Sequence, residues 1–238
     1  MVIKMIKLFK KMKRIFHREI LDPFLLLFFA SDCDAICSVV NSQPVFAETI
    51  ISNYFQGMVL LGRHQNDRVY WFRKDDLYWL NLNRRGIITP ESAHLSRRLK
   101  SYMNKNLFEI RYNSDFDSVI LRCRNRNETW INDRLVKLYK DLQKQGYVQT
   151  VETYQDGKLV GGFWGIVLGR NFSIMSMFHE VDRAGAIALG DLVQRLQQGE
   201  FGMIDCGANN ETFRRFGAVT VTRDEFIRHT VQNLNNGV

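Results

Sequence analysis

Two β-rich runs joined by a tight turn constrain the fold of this chain more than any other feature. The runs are Val148–Tyr154 and Lys158–Leu168, and Gln155–Gly157 connects them. An Asp-Gly pair between two such runs is a strong signal for a β-hairpin. An amphipathic helix is predicted before the hairpin over Asn132–Gln145, and a third strand after it over Asn171–Phe178. The middle of the chain therefore predicts a helix packed against an antiparallel sheet.

Further elements are predicted on both sides of this hairpin. A strand over Leu107–Tyr112 and a helix over Asp115–Cys123 precede it. After it come a helix over Ala184–Gln197, a strand over Met203–Cys206, a short helix over Glu211–Phe216 and a strand over Ala218–Thr222. Helix, antiparallel hairpin, helix and strand in this order are typical of a GNAT-type acyltransferase core. We therefore expect an α+β fold with a mixed, largely antiparallel sheet flanked by helices.

Three zones divide the chain. Residues 1–20 form a basic arm, residues 21–85 predict a small domain of short elements, and residues 86–238 hold the acyltransferase-like domain. With 238 residues, 45% of them hydrophobic, the chain can bury one substantial core. No internal repeat or low-complexity linker separates the zones, so we expect them to pack together.

The formal net charge of +8 favours a polyanionic partner. Charge alone suits RNA, DNA or an anionic membrane equally well. Part of the charge lies in the basic arm, whose lysines flank an apolar helical face formed by Met5, Leu8, Phe9, Met12, Ile15 and Phe16. Such a helix can lie on a membrane, bind RNA or pack against the rest of the protein. The apolar run Phe24–Ala30 is too short to span a bilayer, which needs about 20 apolar residues.

Several common chemistries have no support in the sequence. The cysteines Cys33, Cys37, Cys123 and Cys206 form no Cys-x-x-Cys pair, so neither a zinc site nor a disulfide framework is expected. There is no signature of a serine hydrolase, a zinc protease, a P-loop or a Rossmann enzyme. The segment Arg183–Ala186 does not fit the loop that binds the pyrophosphate of acetyl-CoA. We therefore expect no metal, no organic cofactor and a reduced, cytoplasmic environment.

Four motifs carry a specific resemblance to a known family. They are the segment Glu128–Phe178, which begins ETWINDRLVKLYKDLQ and ends GRNFSIMSMF, with IDC at 204–206, FGA at 216–218 and PESAHLSRRLK at 90–100. With these motifs the chain resembles the leucyl/phenylalanyl-tRNA-protein transferases. The resemblance implies transfer of Leu or Phe from aminoacyl-tRNA to the N-terminal Arg or Lys of a protein, which marks that protein for degradation. Within the last motif, we expect Arg97, Arg98 and Lys100 to contact tRNA phosphates, together with the basic residues from Lys4 to Arg14. A solvated helix face is the alternative explanation for these charges.

The resemblance further implies direct aminolysis of the aminoacyl ester by the α-amine of the acceptor, a reaction that positioning accelerates strongly. In the family, an aspartate supports a glutamine that handles the amine, and a glutamate orients the aminoacyl group. Asp205 keeps the aspartate position, whereas Gly207 and Met175 replace the glutamine and the glutamate. The resemblance therefore implies that the chain is a divergent member of this family. The alternative function is a catalytically degenerate protein that binds aminoacyl-tRNA or protein N-termini.

Substrate contacts follow from the same resemblance. It implies Trp130 and Tyr139 near the terminal adenosine, Ser176 at the substrate, and a pocket for the Leu or Phe side chain made by Phe163, Phe172, Leu189, Leu192 and Ile204. From the residues alone, an ordinary packed core explains the apolar side chains better. We expect a monomer that binds no DNA and makes no membrane contact. The basic arm leaves open a third function, that of a membrane-surface protein.

Overall fold

A computed structural model of the chain describes residues 53–54, 59–63, 66–72, 84–126 and 129–235. The basic arm over residues 1–20 lies outside this part of the chain, as do Cys33, Cys37 and most of the predicted small domain over residues 21–85. Within the described residues, no helix is long and apolar enough to cross a membrane.

Strands and helices alternate along the described chain. The strands are β1 Val59–Arg63, β2 Asn66–Phe72, β3 Arg84–Ile88, β4 Glu109–Tyr112, β5 Val148–Gln155, β6 Lys158–Leu168, β7 Asn171–His179, β8 Met203–Gly207 and β9 Val219–Thr222. The helices are α1 Arg97–Met103, α2 Phe116–Arg124, α3 Asp133–Lys144, α4 Ala184–Gln197, α5 Glu211–Arg214 and α6 Arg223–Asn235. Strands β1 and β2 pair with each other, and the other strands form one sheet.

The main sheet has the strand order β4-β5-β6-β7-β8-β3-β9. Its neighbouring strands run antiparallel except β7 and β8, which run parallel. The predicted hairpin joins β5 to β6, with Asp156 at φ 50° and Gly157 at φ 72°. Positive φ at both central residues is the signature of a type I′ turn, whose twist matches that of the flanking strands. The predicted α+β fold with a largely antiparallel sheet is confirmed.

Several elements differ from the sequence prediction. The predicted strand over Leu107–Tyr112 begins only at Glu109, because the chain turns at Asn106 with φ 52° and leaves Leu107 49% exposed. The predicted helix over Glu211–Phe216 ends at Arg214. Helices α1 and α6 were not predicted. Strand β3 was not predicted either, and it lies across the expected boundary at residue 85, between β8 and β9 in the sheet.

The main sheet buries apolar side chains on both faces. On β6, Trp164 joins a cluster with Leu135 and Tyr139 of α3, whereas its neighbour Phe163 joins a second cluster with Leu189 of α4. Successive strand residues point to opposite faces of a sheet. Helices α2 and α3 therefore cover one face and α4 covers the other, which leaves the ends of the central strands to form a site.

Candidate active site

A cavity opens where the two parallel strands of the sheet separate. Strands β7 and β8 pair through Asn171 and Met203, Phe172 and Ile204, and Ser173 and Asp205. Beyond the last pair, both strands continue, β7 to His179 and β8 to Gly207. Residues 174–177 of β7, residues 205–207 of β8 and the following Ala208 line the cavity between the strands. The end of the parallel pairing therefore creates the space.

The cavity has a volume of about 370 Å³. Its walls are Tyr54, Leu61, Arg85, Arg126, Trp130, Ile174, Met175, Ser176, Met177, Asp205, Cys206, Gly207, Ala208, Asn210 and Phe213. Five of the residues predicted at the site are among them, namely Trp130, Met175, Ser176, Asp205 and Gly207. These residues lie up to 77 positions apart in sequence, and the sheet brings them to one place.

Asp205 is buried in an ion pair with Arg85. The guanidinium donates from Nε to Oδ1 over 3.2 Å and from Nη2 to Oδ2 over 2.7 Å. Arg85 is 4% exposed and Asp205 1% exposed, so both charges are withdrawn from water. Because burial of an unpaired charge is costly, each side chain depends on the other. Asp205 therefore orients its surroundings and is not a free carboxylate.

Gly207 is held by the same carboxylate. Its backbone N–H donates to Oδ1 of Asp205 over 2.9 Å. Gly207 has φ 66°, a left-handed conformation that glycine adopts without strain. A Cβ at this position meets no atom within 4 Å. The position where the family has a glutamine therefore faces open space in the cavity.

Met175 lies beside a pair of buried phenols. The hydroxyl of Tyr54 donates to Sδ of Met175 over 3.4 Å and lies 2.9 Å from the hydroxyl of Tyr139. Burial raises the pKa of Tyr54 above its ordinary value, although the hydrogen bond with Tyr139 and the charge of Arg85 oppose that rise. Burial likewise raises the pKa of Tyr139. Tyr54 therefore stays protonated and presents a hydrogen-bond donor to residue 175.

Trp130 is the aromatic side chain at the cavity wall, and it is partly buried. Its ring lies 6.0 Å from that of Trp164, which in turn lies 4.5 Å from Tyr139. Tyr139 itself is fully buried behind Tyr54 and does not line the cavity. Of the two residues predicted near the terminal adenosine, Trp130 is thus the one that lines the cavity.

The predicted side-chain pocket occupies the core beside the cavity. Its five residues are 0% exposed and do not line the cavity, namely Phe163, Phe172, Leu189, Leu192 and Ile204. They share one apolar cluster with three residues that do line it, Ile174, Cys206 and Phe213. The predicted pocket residues therefore form the layer behind the cavity wall.

Two further side chains shape the chemistry of the cavity. Arg126 is exposed and donates to Oγ of Ser176 over 3.5 Å and to the carbonyl oxygen of Met177, so it adds a cation beside β7. Burial raises the pKa of the Cys206 thiol well above its ordinary value, and the charge of Asp205 raises it further. At neutral pH Cys206 is a protonated thiol and a poor nucleophile. In the described chain, no group of three His, Cys, Asp or Glu side chains is arranged to hold a metal ion.

The predicted tRNA contacts lie on one short helix. Arg97, Arg98 and Lys100 are exposed on α1, which begins where Ser96 accepts a hydrogen bond from the backbone N–H of Leu99. The loop before α1 is held by the turn after α5, because the backbone N–H of His94 donates to the carbonyl oxygen of Phe216 over 3.0 Å. The same loop leads from β3, the strand that carries Arg85, into α1.

Sequence reasoning missed Arg85, Tyr54 and Arg126. One sequence feature points to Arg85, which stands directly before the apolar residues Gly86–Ile88. A charged residue in a buried strand needs an opposite charge nearby. Tyr54 lies in the segment NYFQGM, residues 53–58, which is not one of the four motifs above. Arg126 had no signal beyond its charge.

Two sequence comparisons with known proteins agree on one family. A sequence profile described as leucyl/phenylalanyl-tRNA protein transferase matches residues 87–231. The leucyl/phenylalanyl-tRNA–protein transferase of Gloeobacter violaceus is 35% identical over 75% of this chain and 89% of its own length. That of Paramagnetospirillum magneticum is 32% identical over 76% of this chain and 85% of its own length. Among solved structures, FemX matches 74% of this chain and 66% of its own with a TM-score of 0.47 and 9% identity. The chain belongs to the leucyl/phenylalanyl-tRNA protein transferase family.

Proposed function

We propose that this protein transfers Leu or Phe from an aminoacyl-tRNA to the α-amine of a protein whose first residue is Arg or Lys. The observation that carries the proposal is the cavity between β7 and β8, which gathers Trp130, Met175, Ser176, Asp205 and Gly207 in a chain of this family. A cavity of about 370 Å³ is in the range of small-molecule sites.

The reaction needs positioning more than a catalyst group. The neutral α-amine attacks the ester carbonyl, a C–N bond forms, the ester C–O bond breaks, and the 3′-terminal ribose oxygen leaves and takes up a proton. Oriented reactants reach effective molarities of about 10⁵ M or more. The buried, protonated thiol of Cys206 does not support a covalent acyl-enzyme. The proposed mechanism is therefore direct aminolysis, without an acyl-enzyme on Cys206.

The decisive experiment is transfer of radiolabelled Phe or Leu from charged tRNA to a short peptide with N-terminal Arg. We expect a labelled product that depends on the protein and survives mild base, because an amide replaces the ester. The same peptide with an acetylated N-terminus is the matched control and should accept nothing. A peptide with N-terminal Glu tests the preference for a basic acceptor. Absence of transfer from well-folded protein would refute the proposed activity and favour the binding-protein alternative.

Transfer RNA should bind through α1 in a salt-dependent way. Contacts between Lys or Arg and phosphates release counterions, so affinity should fall steeply between about 50 and 200 mM salt. Arg97→Glu with Lys100→Glu should weaken binding at all salt concentrations and reduce the slope of log K against log salt by roughly 2. Filter binding or fluorescence anisotropy measures both quantities.

The matched control for this prediction reverses two exposed charges on other elements. Lys144→Glu with Lys158→Glu changes the net charge equally, at the end of α3 and at the hairpin turn. We expect a smaller loss of affinity and an unchanged slope. Equal effects of the two double variants would mean that net charge, and not α1, determines tRNA binding.

A further inference from the structure

One nitrogen of the buried Arg85 guanidinium is not used by the protein. Nε and Nη2 donate to Asp205, whereas Nη1 is buried and has no hydrogen-bond partner among the described residues. An unsatisfied buried donor costs free energy and calls for an explanation. Arg85 lines the cavity. A molecule bound in the cavity is therefore a candidate partner for Nη1.

The guanidinium is held rigidly in place. Its two bonds to Asp205 fix its plane, and its central carbon lies 4.2 Å from the centre of the Phe226 ring. Strand β3 is itself fixed between β8 and β9, with a register shift between Gly86 and Ile87 directly after Arg85. The direction of a donor fixed in this way is set before a ligand arrives, which is the property of an effective electrostatic site.

The charge of the pair indicates what Nη1 binds. Asp205 already balances the positive charge of Arg85 through a two-point contact, so the pair is neutral as a unit. A further anion is not required for charge balance, and a neutral acceptor such as a carbonyl oxygen satisfies the donor. We propose that Nη1 of Arg85 donates a hydrogen bond to the carbonyl oxygen of the aminoacyl ester. This inference rests on the proposed transfer reaction and assigns Arg85 a catalytic contact within it.

The contact has a defined role in aminolysis. As the amine forms the C–N bond, the π electrons of the carbonyl move onto its oxygen, and they return when the ester C–O bond breaks. Negative charge on that oxygen strengthens its hydrogen bond to Nη1 in the transition state. Removal of one such donor typically slows a reaction by about 10²- to 10³-fold. Arg85 therefore accelerates the step without exchanging a proton.

The first test compares two ligands on the natural protein. One is an adenosine whose 3′-amino group carries phenylalanine through an amide, and the other is the thioamide of the same compound, in which sulfur replaces the carbonyl oxygen. Sulfur is a weak acceptor. If Nη1 binds the carbonyl oxygen, calorimetry should show the amide binding about tenfold more tightly. Equal affinities, or no binding of either compound, would overturn the inference.

The second test uses variants. Arg85→Lys keeps a positive charge beside Asp205 but loses the planar fork, so the preference for the amide should disappear and single-turnover transfer should slow by about 10²-fold. The KM for the acceptor peptide should stay unchanged, because Nη1 acts on the donor ester. A natural transfer rate in folded Arg85→Lys would contradict the assignment.

Arg111→Lys is a closely matched control. Arg111 also donates through Nε and Nη2 to one carboxylate, that of Glu109, and its central carbon also lies 4.2 Å from an aromatic ring, that of Tyr154. It is only partly buried, with a side chain 41% exposed, and does not line the cavity. We expect this variant to keep both the amide preference and the transfer rate. If the natural protein prefers the amide to the thioamide but transfers nothing, the carbonyl contact is supported and the proposed function is refuted. If it transfers the amino acid but binds both compounds equally, the proposed function is supported and the carbonyl contact is refuted.

Discussion

Asp205→Asn should lower the free energy of unfolding by about 3 to 5 kcal/mol, because it leaves the charge of Arg85 buried without a counter-charge. Both side chains of the pair are almost fully buried, with exposures of 4% and 2%. In a chain of this size, each kcal/mol shifts the melting temperature by roughly 2 to 4 °C. Thermal and urea denaturation followed by circular dichroism measure the loss. An unchanged melt would show that water reaches the pair and that Asp205 is free to take part in proton transfer.

Two controls separate the buried pair from ion pairs in general. Glu109→Gln breaks the exposed two-point pair with Arg111, where side-chain exposures are 41% and 59%, and should cost less than about 1 kcal/mol. The double variant Arg85→Met with Asp205→Leu replaces both buried charges with apolar side chains. It should recover much of the stability lost in Asp205→Asn. It should not recover transfer. That combination of results would show that the pair serves the site more than the fold.

This stability effect changes how activity losses at Asp205 are interpreted. A variant that has partly unfolded loses transfer for a trivial reason. Assays of Asp205→Asn therefore belong at temperatures well below its own melting midpoint. A loss that persists there reports on the orientation of Arg85 and on the Gly207 backbone N–H, which both depend on the same carboxylate. The role of Asp205 as support for residue 207 stays a prediction until that measurement.

Local pattern was sufficient to predict much of the fold. The hairpin was predictable because Asp156 and Gly157 both tolerate positive φ, and the bounds of α4 match the prediction because its apolar periodicity runs unbroken over Ala184–Gln197. Strand β3 was not predictable in this way. It pairs with β8 and β9, more than 100 residues further along the chain, and no local pattern records such pairing.

The candidate site was likewise predictable where sequence motifs mark its residues, and not where it depends on contacts between distant parts of the chain. Motif resemblance placed Asp205, Gly207 and Met175 in one site, and all three line the cavity. It could not reveal that Arg85 lies against Asp205, because 120 residues separate them. Nor could it separate a pocket wall from the layer behind it. Phe163 and Phe172 are apolar in either place, and the structure buries both completely.

The positions of Gly207 and Met175 allow the missing polar groups to be restored. A Cβ on Gly207 has open space, although φ 66° costs a side chain about 1 to 2 kcal/mol. Met175 already accepts a hydrogen bond from the Tyr54 hydroxyl, so a carboxylate at position 175 finds a donor in place. A glutamine and a glutamate can therefore be introduced without displacing the sheet.

Gly207→Gln with Met175→Glu should raise transfer of Phe or Leu to an N-terminal Arg peptide by about 10²-fold or more, the typical difference between well placed and misplaced reactants. The gain should exceed the product of the single gains, because one group places the amine and the other the ester. Gly207→Ala carries the backbone strain without the amide, and Met175→Gln carries the hydrogen bond without the charge, so neither should match the double variant. Asp205→Asn in the restored background should remove most of the gain at a temperature where that protein is folded.

If the natural chain already transfers as fast as the restored one, Met175 and Gly207 are harmless and the assigned roles are wrong. If the folded double variant transfers nothing, the cavity has diverged too far to catalyse transfer, and that result favours the binding-protein alternative.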